Sequence, residues 1–110
     1  MPSFSKEIDI STMGATTELE FSSAGVSTDL LNINASFENV NGDMLFSFSQ
    51  SNFDSEGFSA ILDAGNNSTD ITETESFGAR FNTFYLRFGK VLITKGTATS
   101  GTIKINAYTI

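Results

Sequence analysis

Along most of this 110-residue chain, apolar and polar side chains take turns one for one. A period of two belongs to a strand with one buried face, because successive side chains leave opposite sides of a sheet. Ile8 and Ile10 alternate with Glu7, Asp9 and Ser11, and Leu19 and Phe21 with Glu18, Glu20 and Ser22. Leu31, Ile33, Ala35 and Phe37 alternate with Asn32, Asn34, Ser36 and Glu38. Phe46 and Phe48 continue the pattern, then Phe58, Ala60 and Leu62, with a short acidic strand from Ile71 to Glu75. In the last strand, from Thr102 to about Thr109, Ile103, Ile105 and Ala107 face one way and Lys104, Asn106 and Tyr108 the other. The single proline is Pro2, so no strand is interrupted by one.

Turn chemistry separates these runs. Asn41-Gly42 reads as a two-residue hairpin loop, which sets Phe37 against Phe46 and Ala35 against Phe48. Gly89-Lys90 suits a second tight hairpin, pairing Phe88 with Val91 and Leu86 with Ile93. The other face of that hairpin carries Tyr85, Arg87, Leu92 and Thr94, which is either a contact surface or a side covered by a loop. Residues 1–110 thus read as one all-β domain, an antiparallel β-sandwich of about eight or nine strands, jelly-roll or immunoglobulin-like.

Charge is unevenly spread. Residues 1–79 hold all 13 acidic side chains and one basic one, whereas residues 80–110 hold five basic ones and no acid, for a net charge of −7. Two arrangements satisfy this. The halves interleave within one sandwich, or basic strands of one copy meet acidic strands of another and close a ring such as a trimer. Glu7 and Asp9 on the first strand and Glu18 and Glu20 on the second repel if paired directly. The strand carrying Lys104 is therefore expected beside one of them, in the same or a neighbouring chain.

The chain has no histidine and no cysteine. Histidine-based triads, disulfides and the usual zinc ligands are absent with them. No phosphate-cradling glycine loop occurs, and no carboxylate pair is singled out by its spacing, so no enzyme activity and no cofactor are expected. Two acidic segments, Asp63–Asp70 and Asp70/Glu73/Glu75, hold calcium-type oxygen donors without the EF-hand spacing, and read as solvated turn and strand. The negative charge disfavours nucleic acid and anionic membrane surfaces. No signal peptide and no apolar stretch near the ~20 residues of a membrane span is visible. The aromatic residues outside the clearest strands are Phe4, Phe53 and Phe77.

The C-terminal third reads Arg80-Phe81-Asn82-Thr83-Phe84-Tyr85-Leu86-Arg87-Phe88, then Lys95-Gly96-Thr97-Ala98-Thr99-Ser100-Gly101-Thr102-Ile103-Lys104-Ile105-Asn106-Ala107-Tyr108. An aromatic strand followed by a Thr/Ser-rich loop and a closing strand resembles small β-sandwich accessory proteins of phage virions: capsid decoration proteins, head fibres and tail-fibre knobs. The resemblance implies a virion protein that assembles, often as a homotrimer, onto a capsid or tail protein or against a host surface glycan. No interface residue carries over from the resemblance; the mixed face gives Tyr85 and Arg87 as expected interface residues, and the charge pattern gives Lys104. The alternative is a carbohydrate-binding or adhesin module with a loop-borne site, working outside the cell.

Overall fold

Alternating strands bury their apolar sides only against another such layer, and two layers form here. A computed structural model describes residues 3–22, 28–51, 53, 56–62 and 68–109, with the backbone alone at 3, 28–29, 82–86 and 109. In chain order its strands are β1 (Ser3–Asp9), β2 (Thr16–Ser22), β3 (Thr28–Glu38), β4 (Met44–Ser51), β5 (Ser59–Ala60), β6 (Ile71–Glu73), β7 (Phe77–Leu86), β8 (Phe88–Lys95) and β9 (Thr102–Thr109). One antiparallel sheet runs β1-β9-β3-β7. The other runs β2-β8-β4, and beyond β4 two short strands share one place: β5 opposite Ser49 and Gln50, β6 opposite Met44 to Phe46. The chain changes sheet at every connection between consecutive described strands except β4 to β5 and β5 to β6. That is jelly-roll connectivity, and it settles the choice against an immunoglobulin-like order.

The core lies between the sheets as the alternation requires. Ile33, Ile103, Ile105 and Ala107 of the first sheet meet Met44, Phe46, Phe48, Val91 and Ile93 of the second, all buried. Phenylalanine rings tie the layers together: Phe46 to Phe77 at 4.9 Å, Phe48 to Phe81 at 4.7 Å and Phe4 to Phe21 at 5.7 Å between centroids. Each fully buried Phe stabilises by roughly 1.5–3 kcal/mol. Phe4 and Phe77 are thus half-buried packing residues rather than exposed rings, while Phe53 is 63% exposed.

Neither expected hairpin forms. β3 and β4 lie in opposite sheets, and Asn41-Gly42 belongs to the corner between them. The turn residues serve a neighbouring loop, that between β8 and β9. The Asn41 side-chain oxygen accepts from the Thr99 and Ser100 N–H groups at 2.8 and 3.1 Å, and its amide donates to Thr99 Oγ1. The Asp43 carboxylate accepts from the Thr97 N–H and hydroxyl. Gly42 lets the two loops touch, since a Cβ there would lie 2.6 Å from the Ala98 nitrogen. Phe37 and Phe46 do meet, at 6.0 Å, but across the core.

At the second site β8 runs straight through Gly89 and Lys90, and the chain crosses between sheets at Arg87. Gly89 is required by packing rather than by a turn. A Cβ there would sit 2.3 Å from Phe21 Cζ on the adjacent strand. Around β5 the phase differs from expectation by one residue. Ile61 is buried and Leu62 is 46% exposed, because the Ile61 N–H bonds back to Phe48 O and turns the apolar side chain inward.

The charge halves interleave within the chain. β1 pairs with β9, placing Glu7 opposite Lys104, and β2 pairs with β8, placing Glu20 opposite Lys90. Lys90 Nζ lies 3.8 Å from Glu18, the only ion pair among the described residues. The acidic β1 and β2 are not partners in either sheet. Lys6, on the edge of the first sheet, donates to the Glu18 carbonyl at 3.0 Å and staples that edge to the second.

Candidate functional site

Outward parity on β1, β9, β3 and β7 builds a polar grid on the outer face of the first sheet. One row across the strands runs Tyr108, Asn32, Arg80. The next runs Ser5, Asn106, Asn34, Gly78, and a third Glu7, Lys104, Ser36. Neighbouring strands stand about 4.8 Å apart, so side chains within a row are adjacent. Two open depressions lie on this face and adjoin at Asn34 and Gly78. One, of about 320 Å³, is walled by Asn32, Arg80 and Tyr108. The other, of about 570 Å³, extends past Ser36 to Lys104. Together they form a shallow trough. Gly78 keeps it continuous, and a Cβ there would lie 3.0 Å from the Asn34 amide oxygen.

Asn32 is the unusual member. It points outward by parity yet is only 6% exposed, covered by its neighbours in the row. Its oxygen accepts a 2.8 Å bond from Arg80 Nε, while its Nδ2 is buried without a partner among the described residues. A buried unpaired donor costs on the order of 1–3 kcal/mol, so the fold carries a penalty at this position. Asn106 donates to the Phe4 carbonyl at 3.3 Å, which fixes its amide over the β1 edge. The exposed Asn34 and Ser36 can donate and accept hydrogen bonds on a surface next to one guanidinium and one ammonium.

The sequence-expected interface is divided by the fold. Lys104 is on the grid, exposed, opposite Glu7 and Ser36. Arg87 lies between β7 and β8, exposed, with its guanidinium carbon 5.9 Å from the Phe88 ring centroid. Tyr85 belongs to β7, and its side chain lies outside the described residues. The joint face of Tyr85, Arg87, Leu92 and Thr94 does not form, because β7 and β8 are in different sheets. Sequence reasoning missed Asn32, Asn34 and Arg80, although their outward phase on β3 and β7 was available once those strands were known to pair. Of the calcium candidates, 63–67 fall outside the described residues, and no group of three acidic side chains suited to a metal occurs among the described ones.

Asp43 is the one described group whose acidity is clearly displaced. The Thr97 N–H, then its hydroxyl, hold the carboxyl below its ordinary value of 3.8, with partial burial opposing. This lies at the corner, away from the trough.

No protein-family model matches the sequence, and no curated protein does either. Similar folds occur among solved structures. The Yersinia pseudotuberculosis-derived mitogen (YPM) is 13% identical over 96% of this chain and 82% of that one, with a TM-score of 0.61. The SPBc2 prophage-derived protein YomS is 12% identical over 100% of this chain and 96% of that one, at 0.56, and PirA is 15% identical over 97% and 94%, at 0.51. At these identities the likeness establishes one thing, that the chain is a β-sandwich of a shape shared by those three proteins.

Proposed function

We propose that the chain is a non-catalytic binding module, an accessory protein of a phage-type virion that assembles on a capsid or tail protein. The observation that carries a binding role is the polar trough on the outer face of the first sheet, where Arg80 and Lys104 stand among amides on a chain of net charge −7. The virion setting draws on the resemblance of the C-terminal third. One structural neighbour is described as prophage-derived, which is in keeping with it. Solution mass by light scattering, at low and high salt, tests assembly. A mass near three times the 11.8 kDa chain, loosening in high salt, is expected for a trimer joined by complementary charge. A monomer at every salt removes self-assembly from the reading.

A second reading is a carbohydrate-binding module. It is favoured by the exposed Asn34 and Ser36 on a shallow groove beside Tyr108, since a few placed polar groups next to an aromatic face suit a sugar. The site is then on the sheet rather than on a loop. Binding to a glycan array without added calcium is the expected result, and an array with no bound glycan sinks this reading.

A further inference from the structure

The trough has a cation, Arg80, with no neutralising partner among the described residues. Arg80 has no carboxylate within ion-pair distance among the described residues, in a chain with 13 acids and six bases. Its only described hydrogen bond runs from Nε to Asn32. That bond holds the inner edge of the guanidinium and leaves both terminal nitrogens without a described partner. A guanidinium gripped at Nε presents its two terminal nitrogens as a fork, the geometry that receives two carboxylate oxygens. The buried Asn32, with its unpaired Nδ2, is then a support whose cost is accepted for the orientation it gives.

The surroundings narrow the ligand. Tyr108 closes the other side of the row, and a tyrosine ring offers an apolar face with a hydroxyl at its tip. Asn34, one row on, exposes an amide that suits hydroxyl groups. The space beside Arg80 is about 320 Å³, near the lower end of ligand sites, which run from roughly 300 to 1,000 Å³. We infer that this end of the trough binds the carboxylate of an acidic sugar, with Arg80 as its anchor and Asn34 and Tyr108 reading the ring. This rests on the carbohydrate reading above. Further sugar units would extend over Gly78 toward Lys104.

Titration of the full chain with D-glucuronate, D-glucose and a short polyglutamate peptide, followed by NMR, tests this. Glucuronate is expected to shift signals of Asn32, Asn34 and Gly78, and glucose to do so only at much higher concentration. Arg80→Lys keeps the charge and loses the fork, and is expected to weaken glucuronate roughly tenfold or more, the loss of about one charge-assisted hydrogen bond. Gly78→Val, which crowds Asn34, is expected to weaken it as well, and thermal melts of both variants verify folding. Glucuronate binding unchanged in folded Arg80→Lys overturns the inference. So does glucose binding as tightly as glucuronate, although the carbohydrate reading then survives. Preference for polyglutamate over glucuronate assigns the face to an acidic protein partner and overturns the sugar. Absence of any sugar binding ends both.

Discussion

The Asn41–Asp43 corner and the Arg80 trough are built from the same kinds of side chain and use them oppositely. At the corner, Asn41 and Asp43 direct their side-chain oxygens at the backbone of 97–100. In the trough, Asn32 and Arg80 share one bond, and nitrogen atoms on both have no partner among the described residues. Polar groups at the corner are consumed in joining two crossovers at one end of the sandwich. In the trough Asn34 and Arg80 are exposed, and the fold carries a penalty at the buried Asn32 beneath them. Where a protein satisfies its polar atoms it is making structure, and where it leaves them open it has room for a ligand.

That contrast is broken or sharpened by substitutions at each place. The largest effect is expected for Gly42→Val, which drives a side chain into the Ala98 and Thr97 backbone and costs about 3 kcal/mol in chemical denaturation. A loss of a few tenths would mean the two loops separate easily. Asn41→Ala removes three side-chain hydrogen bonds and is expected to cost ~1 kcal/mol in the same assay, without altering any ligand bound in the trough. Asp43 supplies a pH dependence. Because its folded acidity lies below the ordinary 3.8, its contribution is complete above that value and is lost as pH falls through the lower folded value. Melting curves of Asp43→Asn should therefore lose part of the wild type's decline in that acidic window, and an identical decline would show that other carboxylates govern it. The smallest effect is expected for Asn34→Ala, an exposed trough residue whose loss should leave stability within about 0.5 kcal/mol. A larger drop would mean the trough is a structural element like the corner.

Which side chains face inward was legible in the long strands, though around β5 the phase was off by one residue. Ile103, Ile105 and Ala107 are buried and Lys104 is exposed, as the alternation of β9 requires. Which strands pair was not. Phe37 and Phe46 share a phase whether their strands lie side by side in one sheet or face each other across the core, so hydrophobic parity cannot separate a hairpin from a corner. Gly89 carries the same ambiguity: a glycine that opens a tight turn and one that lies under an aromatic ring read alike, and only Phe21 on another strand distinguishes them. Charge did carry topological information, because repulsion between Glu7, Asp9, Glu18 and Glu20 disfavours pairing β1 with β2, and Lys104 does lie opposite Glu7. The trough had no local signal. Asn32 and Arg80 are 48 positions apart and meet only through the pairing of β3 with β7.

The place of β9 between β1 and β3 has a consequence for how the chain acquires its structure. Six of the eight connections between the described strands join opposite sheets, and β4 with β5 is the one pair of consecutive described strands that are hydrogen-bonded, so most strand pairing requires loop closure over long stretches of sequence. Of the nine described strands, β1 is synthesised before the others and its partner β9 after them. Until residues 102–109 arrive, β1 and β3 each carry an open edge toward the missing strand. Until then those edges are open to pairing with another strand, and β9, eight residues long, is the strand that closes the first sheet.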